Sequence, residues 1–239
     1  MPTNIDICIQ ARASSTRMPG KSTKPLGDGT IISYMVKTIK NSILPLKGPN
    51  TAYDFQFSVN LLVPELEFDF WVERHKHNFD LIIGGDLNNV FSRFWSIYEM
   101  KKPKYLMRLT ADCPLIPQPA INRSIYQAAK HRIDYMCNSW EHIRTTPDGH
   151  DVELMSADAM EWLNANNSDQ EDFEHVTIAL RKKLPSHLRM AILSTIEDNS
   201  HIKCSIDTPD DFNGVNYRLN RSIEKRKKAQ EMGLGVYEY

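Results

Sequence analysis

The segment Gln10-Ala11-Arg12-Ala13-Ser14-Ser15-Thr16-Arg17-Met18-Pro19-Gly20-Lys21 sets three cations and three hydroxyls in one short run, directly after the apolar stretch Ile5–Ile9. A buried strand that opens into a basic, hydroxyl-rich turn suits a polyphosphate. Backbone N–H groups and hydroxyls supply neutral donors, while arginine forks and a mobile lysine charge supply the rest. Two further segments carry carboxylates at the ends of apolar runs: Arg108-Leu109-Thr110-Ala111-Asp112-Cys113-Pro114 and Ser205-Ile206-Asp207-Thr208-Pro209-Asp210-Asp211. A carboxylate so placed can bind Mg²⁺, which favours one or two carboxylates plus substrate phosphate oxygens and water. Cations at one strand end and carboxylates at two others would balance the charge of a metal-bound triphosphate.

Simpler readings stand beside each of these. An aspartate after a strand often caps a turn or helix, and Asp210 and Asp211 fit the first turn of a helix that starts at Pro209. Gly20-Lys21-Ser22 is not a P-loop, because no glycine stands five residues before Gly20. His75 and His77 are two apart on an expected helix, share no face and make a poor metal pair. No Gly-x-Ser-x-Gly elbow is present.

Elements that could position these groups follow from periodicity. The pattern predicts strands at 5–10, 54–62, 81–83 (stopped by Gly84-Gly85), 105–109, 151–155, 190–196 and 202–206. Helical spacing predicts helices at 31–42, 63–77 with Pro64 in the first turn, 90–100, 119–131, 157–166, 173–183 and 209–232. The segment 44–50, with two prolines and a glycine, reads as a loop. Alternation of strand and helix through the first half predicts a mainly parallel sheet with helices on both faces. After residue 138 the rhythm breaks, which predicts a small β-rich subdomain.

The 239 residues suffice for one α/β domain with a full core. The net charge of −1 provides no global basic field to draw in nucleic acid, so any anion site must be local. No apolar stretch is long enough to cross a bilayer, and the N-terminus has no secretory pattern. The four scattered cysteines, Cys8, Cys113, Cys137 and Cys204, suit neither a zinc site nor a disulfide framework and read as reduced thiols of a cytoplasmic protein.

Taken together, QARASSTRMPGK, GGDLNNVFSRF (84–94), RLTADCPLI (108–116), DYMCNS (134–139), PDGHDVELMS (147–156), EHVT (174–177) and SIDTPDDF (205–212) resemble, in order and spacing, the cytidylyltransferases. The resemblance is to members close to the spore-coat polysaccharide biosynthesis branch, and these are related to the activators of acylneuraminate and ketodeoxyoctulosonate. The resemblance covers about residues 5 to 215. It departs at Phe57–Glu65, where Ala-Thr-Ser followed by acidic residues is usual, and at Asp86, where a small hydroxyl residue is usual.

The resemblance implies a Rossmann-like, glycosyltransferase-A-like nucleotidyltransferase fold, formed as one domain with a sugar-binding and dimerisation insertion at about 138–180. It implies the reaction of CTP with a sugar acid or related sugar to give a CMP-sugar and pyrophosphate, with Mg²⁺. Gln10, Ala11 and Arg12 would line the cytidine and α-phosphate. Arg12, Ser14, Ser15, Arg17, Gly20 and Lys21 would surround the triphosphate. Gly85 and Asp86 would lie near base or ribose, with Thr110 also on the nucleotide side. Asp112 and Asp207 would hold the metal, and with Arg12 and Lys21 form the catalytic set. Arg108, Asp148, Asp151, Glu153, Glu174 and His175 would face the sugar. Arg108 and Arg144 are the candidates to meet a sugar carboxylate. The acceptor of the sugar's hydroxyl proton is open among Asp112, Asp207 and a metal-assisted route. A homodimer is expected, for which Trp140, Trp162 and Phe173 could offer apolar surface or could equally cap the core. Two other readings compete: a sugar transferase of the same fold, which usually carries an Asp-x-Asp metal motif that is absent here, and a non-catalytic binder, which would be expected to lose one of the four catalytic residues.

Overall fold

The computed structural model describes residues 2–47 and 53–234. The chain begins with β1 (Thr3–Gln10), a small hairpin of β2 (Pro25–Leu26) and β3 (Gly29–Thr30), then α1 (Ile31–Ile43), β4 (Phe55–Pro64), α2 (Phe68–His75) and β5 (Leu81–Gly85). It continues through α3 (Val90–Lys101), β6 (Tyr105–Thr110), α4 (Gln118–His131), β7 (Tyr135–Cys137), β8 (Glu153–Ser156) and α5 (Ala157–Asn166). Two short helices, α6 (Gln170–His175) and α7 (Ile178–Lys183), precede β9 (Met190–Ile192) and the long α8 (Pro209–Glu231).

The main sheet has the order β5-β4-β1-β6-β8-β7-β9. Strands β5, β4, β1 and β6 are mutually parallel, β8 is antiparallel to both β6 and β7, and β9 is parallel to β7. Successive side chains on a strand point to opposite faces, and β1 shows why this sheet is covered on both. Ile5, Ile7 and Ile9 pack on one face in a core that includes α1 and α4 residues Ile32, Met35, Ile121 and Ile125. Cys8 packs on the other face with Phe91, Phe94 and Ile97 of α3. A third cluster, Met18, Leu26, Ile31, Ile206, Val215 and Leu219, joins the loop after β1 and the hairpin to α8.

Helix starts follow local chemistry. Thr30 and Ser33 form a capping box on α1, and Thr208 and Asp211 form one on α8, where Pro209 takes the first position. Each such cap is worth about 1 kcal/mol. Asp210 and Asp211 lie in the first turn of α8, as expected.

Several boundaries differ from the sequence pattern. Pro64 ends β4 instead of opening a helix, and α2 begins only at Phe68 after the short 3₁₀ turn Glu65–Glu67. Strand β5 runs through Gly84 and Gly85, where a Cβ on Gly84 would stand 2.3 Å from a Glu65 carboxylate oxygen. The single helix expected at 173–183 is two, broken at Val176. The segment 202–206 is no strand; it is tied by an isolated bridge from Lys203 to Asp148. The expected β-rich subdomain is also revised: β7, β8 and β9 extend the one main sheet, because β8 pairs edge-on with β6. Of the loop expected at 44–50, Leu44–Leu46 is a 3₁₀ turn and residues 48–50 lie outside the described residues. Among the described residues no helix is long and apolar enough to cross a membrane.

Candidate active site

Gln10, Pro64, Gly85 and Thr110 are the last residues of four parallel strands, so the segments that follow them emerge along one edge of the sheet. Because β8 runs the other way, its first residue, Glu153, reaches that edge too, paired with Arg108. Open α/β sheets bind ligands beyond this edge.

The loop after β1 is closed by its own backbone. The N–H groups of Ser15 and Gly20 both donate to the Ala13 carbonyl at 2.9 Å, and Gly20 adopts the left-handed φ of 65° that the turn needs. Ser15 Oγ accepts from the Met18 N–H at 3.3 Å, while the Met18 side chain anchors the loop in the third cluster. Arg12, Ser14 and Arg17 are exposed. The consecutive N–H groups of Ala13 and Ser14 form an anion-accepting nest, and a protein carboxylate fills it. Glu67 accepts from Ala13 at 2.6 Å, from Ser14 at 2.9 Å and from the Trp71 indole at 3.1 Å. Burial pushes the Glu67 carboxyl up, but these hydrogen bonds outweigh it and hold the group below its ordinary value.

Lys21 opens a 3₁₀ turn and is buried, with only 10% of its side chain exposed. Its Nζ donates to Asp112 Oδ2 at 2.9 Å and to the Ile206 carbonyl at 2.8 Å, and stands 3.9 Å from Asp207 Oδ1. Two carboxylates from different loops therefore converge on one cation. The 202–206 segment holds them in place. Ile206 N–H donates to the Asp112 carbonyl at 2.8 Å, and Cys204 and Ser205 N–H groups donate to the Asp148 carbonyl at 2.6 and 3.0 Å. Asp207 also pairs with Arg17 at 2.8 Å and Lys203 at 3.3 Å. Burial raises the Asp112 carboxyl, yet the Lys21 charge and hydrogen bond bring it below its ordinary value. Both carboxylates keep part of their surface open, 32% and 24%. Among the described residues no three His, Cys, Asp or Glu side chains gather as a metal site. Two hard oxygen donors already facing a cation fit a divalent ion completed by phosphate oxygens and water.

Beside this edge opens a cavity of about 390 Å³, lined by Arg108, Thr110, Asp151, Glu153, His175 and Arg181 among others. Glu153, 2% exposed, is its anchor. Its carboxylate accepts from Arg108, Arg181 and Thr177 and from the Tyr135 hydroxyl at 2.7 Å. Burial pushes this carboxyl up; the two guanidinium charges and the hydroxyl hydrogen bonds bring it down to about 2. Arg144, which also lines the cavity, pairs with Asp151, and with Asp148 at 3.3 Å. Burial wins at Asp151, whose carboxyl is raised despite Arg144. Between α6 and α7, Val176 is fully buried with φ 62° and ψ −57°, and Thr177 N–H donates back to the His175 carbonyl at 2.6 Å. This is a γ-turn, strained for a β-branched residue, and it sets His175 and Thr177 on the cavity wall. A larger groove of about 1150 Å³ runs between α1 and α8; Pro114, Leu115, Ile116 and His150 of the motifs line it, but none of the expected catalytic, nucleotide, sugar or metal residues does.

No family model matches the chain. Over 222 residues it is 25% identical to the spore coat polysaccharide biosynthesis protein SpsF of Bacillus subtilis, spanning 91% of this chain and 87% of that protein. A cytidylyltransferase from Leptospira borgpetersenii superimposes with a TM-score of 0.74 at 23% identity, over 99% of this chain and 100% of that one. CMP:2-keto-3-deoxy-manno-octonic acid synthetase, solved with CTP, superimposes with a TM-score of 0.63 at 11% identity, over 92% and 100%. The chain has the cytidylyltransferase fold. The resemblance read from the motifs is thereby borne out.

Within this cytidylyltransferase fold the expected residues are not all alike in setting. Gln10 and Arg108 meet directly, with Arg108 Nε donating to Gln10 Oε1 at 3.0 Å. Ala11 is buried, and its N–H donates to the Leu62 carbonyl at 3.0 Å. Thr110 donates to Cys113 Sγ at 3.1 Å. Asp86 is exposed, and its carboxylate accepts from the Asn88 and Asn89 N–H groups, both at 2.7 Å, at the start of α3. Asp148 accepts from Ser205 Oγ at 2.8 Å and does not line the cavity. His175 lines the cavity, whereas its exposed neighbour Glu174 does not. Trp140, Trp162 and Phe173 are half-buried against the core on the α3 side, which is the core-capping alternative.

Sequence reasoning missed Glu67, Arg93 and Arg181. Arg93, 3% exposed, donates through Nε and Nη2 to the Asp86 carbonyl at 2.9 and 2.6 Å and so fixes the turn after β5. The acidic residues after β4 were a signal for Glu67, since the usual pattern carries acids there. Arg181, in the basic run Arg181-Lys182-Lys183, had none.

Proposed function

We propose that this chain is a Mg²⁺-dependent cytidylyltransferase: it transfers CMP from CTP to a hydroxyl of a small sugar, releases pyrophosphate and serves surface-polysaccharide synthesis. The observation that carries this is one edge of the sheet. There the basic loop 10–21, the carboxylates Asp112 and Asp207 and a separate polar cavity lie side by side, in a chain that resembles a polysaccharide biosynthesis protein.

A sugar hydroxyl oxygen attacks the α-phosphorus, the bond to the β-phosphate oxygen breaks, and the hydroxyl proton leaves to a base. Such a transfer asks for positioning and charge neutralisation more than covalent work. Arg12 and Arg17, exposed on the loop, receive phosphate oxygens. Glu67 holds the Ala13–Ser14 backbone, and so fixes where Arg12 starts. Asp112 and Asp207 would hold the divalent ion, which when bound neutralises charge on the α-phosphate and the leaving pyrophosphate. Lys21 keeps those two carboxylates facing one point. Arg108 spans the two halves of the site, touching Gln10 on the nucleotide side and Glu153 on the cavity side. The 138–180 region, where Ile143 is 53% exposed, is the dimer face in this reading.

Binding of the four nucleoside triphosphates with Mg²⁺, followed by turnover of Asp112→Asn, tests this reading. CTP binding tightest, and turnover falling about a hundredfold or more in a folded variant, is the expected result. Equal binding of all four, or full activity of the variant, would remove the cytosine assignment or Asp112 from the site respectively.

A further inference from the structure

The groove of about 1150 Å³ between α1 and α8 concentrates positive charge. Lys37 comes from α1, and Arg218, Lys225, Arg226 and Lys227 come from α8; Asp28 is the one carboxylate among the lining residues. His150 also lines the groove and is neutral near pH 7, because burial, then the Arg144 and Arg218 charges, hold it at about 4. An excess of four positive charges thus faces one groove in a chain whose net charge is −1.

Little of this charge is neutralised within the protein. Lys37 and Asp28 pair at 2.7 Å with side chains 60% and 72% exposed, and such surface pairs are weak. Lys225 and Lys227 are exposed and make no ion pair among the described residues. Arg218 donates through Nη1 to the Lys203 carbonyl and to Cys204 Sγ at 3.7 Å; its Nε and Nη2 have no protein acceptor among the described residues. The helix dipole favours cations only in the last turn of α8. Arg218 and Lys225 come before that turn, and Lys37 is on another helix.

Spacing gives the shape of the missing anion. Arg218 and Lys225 are seven residues apart on α8, so they share a face and stand about 10 Å apart along the axis. The arginine fork matches paired phosphate oxygens, and the lysine supplies a second point of charge. The lining includes Cys204, only 5% exposed, so the groove is concave and suits a small molecule better than a flat lipid surface. We propose that this groove is a second anion site, separate from the loop 10–21, which binds a small molecule carrying phosphates at both ends. It backs onto the metal carboxylates: Pro114 follows Asp112 by two residues, and Cys204, held by Arg218, precedes Asp207 by three.

Amide chemical-shift mapping by NMR on the full chain tests this, with fructose 1,6-bisphosphate, inorganic phosphate and a hexaglutamate peptide as probes. The bisphosphate should shift amides of α8 around Arg218 and Lys225 and of α1 around Lys37, and bind at least about tenfold tighter than inorganic phosphate. The double variant Lys225→Glu, Lys227→Glu should weaken it by about tenfold or more, whereas Arg12→Ala, on the loop after β1, should leave it unchanged. Shifts confined to the loop 10–21, or binding that survives in the double variant, would overturn the proposal. Inorganic phosphate or hexaglutamate binding as tightly as the bisphosphate would overturn it too, as would no binding at all. The samples contain no CTP, so the outcome is independent of the proposed cytidylyl transfer.

Discussion

Replacing Glu153 by Gln keeps its shape and removes the one charge that two guanidinium groups share. Arg108 and Arg181, with 16% and 20% of their side chains exposed, would keep their charges beside a neutral amide. Two routes give the size of the effect. The carboxyl is held at about 2 against an ordinary 4.5, and that gap at 1.36 kcal/mol per unit corresponds to about 3 kcal/mol. Breaking one side of a buried ion pair costs roughly 3–5 kcal/mol in other proteins. Urea unfolding at neutral pH, followed by tryptophan fluorescence, should therefore show Glu153→Gln less stable by about 3 kcal/mol. The sign with pH is fixed as well. A carboxyl depressed on folding stabilises above its unfolded value and loses that contribution as pH falls. The gap between wild type and variant should thus narrow as pH drops from 4.5 toward about 2. A gap under about 1 kcal/mol at neutral pH, or one that does not change with pH, would refute the role given to Glu153.

Three other perturbations follow. Burial, then the Arg144 and Arg218 charges, lower His150 to about 4 from 6.5. A base depressed on folding stabilises fully above its unfolded value, so His150→Gln should flatten a stability loss of about 3 kcal/mol between pH 6.5 and about 4, read by urea titrations across that window. Val176→Gly relieves a turn that costs about 1–3 kcal/mol; its melting temperature should hold or rise while KM for the sugar rises several-fold, and an unchanged KM would show that the strain does not serve the cavity. A Cβ on Gly149, at φ 97°, would stand 2.2 Å from Ser205 N and 2.5 Å from the Cys204 carbonyl carbon. Gly149→Ala should cost more than about 3 kcal/mol and loosen the 202–206 tie that carries Asp207, as amide hydrogen exchange in that segment would report.

Patterns that depend on near neighbours were legible in the sequence. Ile5, Ile7 and Ile9 alternate as a buried strand must, and the spacing of Ile32, Met35, Val36 and Ile39 marks the buried face of α1. Thr208-Pro209 announced the start of α8. The loop 10–21 and Asp112 were identifiable because each follows a strand of the parallel sheet, β1 and β6, and such ends share one edge; Asp207 comes to the same point although the segment before it is no strand. What depends on distant partners was not legible. Val176 takes a positive φ that a valine gives no hint of. The alternating segment Ile202–Ile206 looks like a strand, yet its hydrogen bonds go to Asp148 and Asp112 in loops. Glu67 reaches back across the fold to Ala13, and Lys21 reaches forward to Asp112 and Ile206, so the sequence could suggest a phosphate-facing lysine but not its buried ties.

Transfer of a cytidylyl group is read most directly by ³¹P NMR of the chain with CTP, Mg²⁺ and a set of neutral, amino and acidic sugars. Loss of the three CTP resonances with the appearance of pyrophosphate and one new phosphodiester signal, dependent on a single sugar, is the expected result. Intact CTP in samples where the nucleotide is shown to be bound and every sugar class is present, or its breakdown to CDP and phosphate, would contradict it.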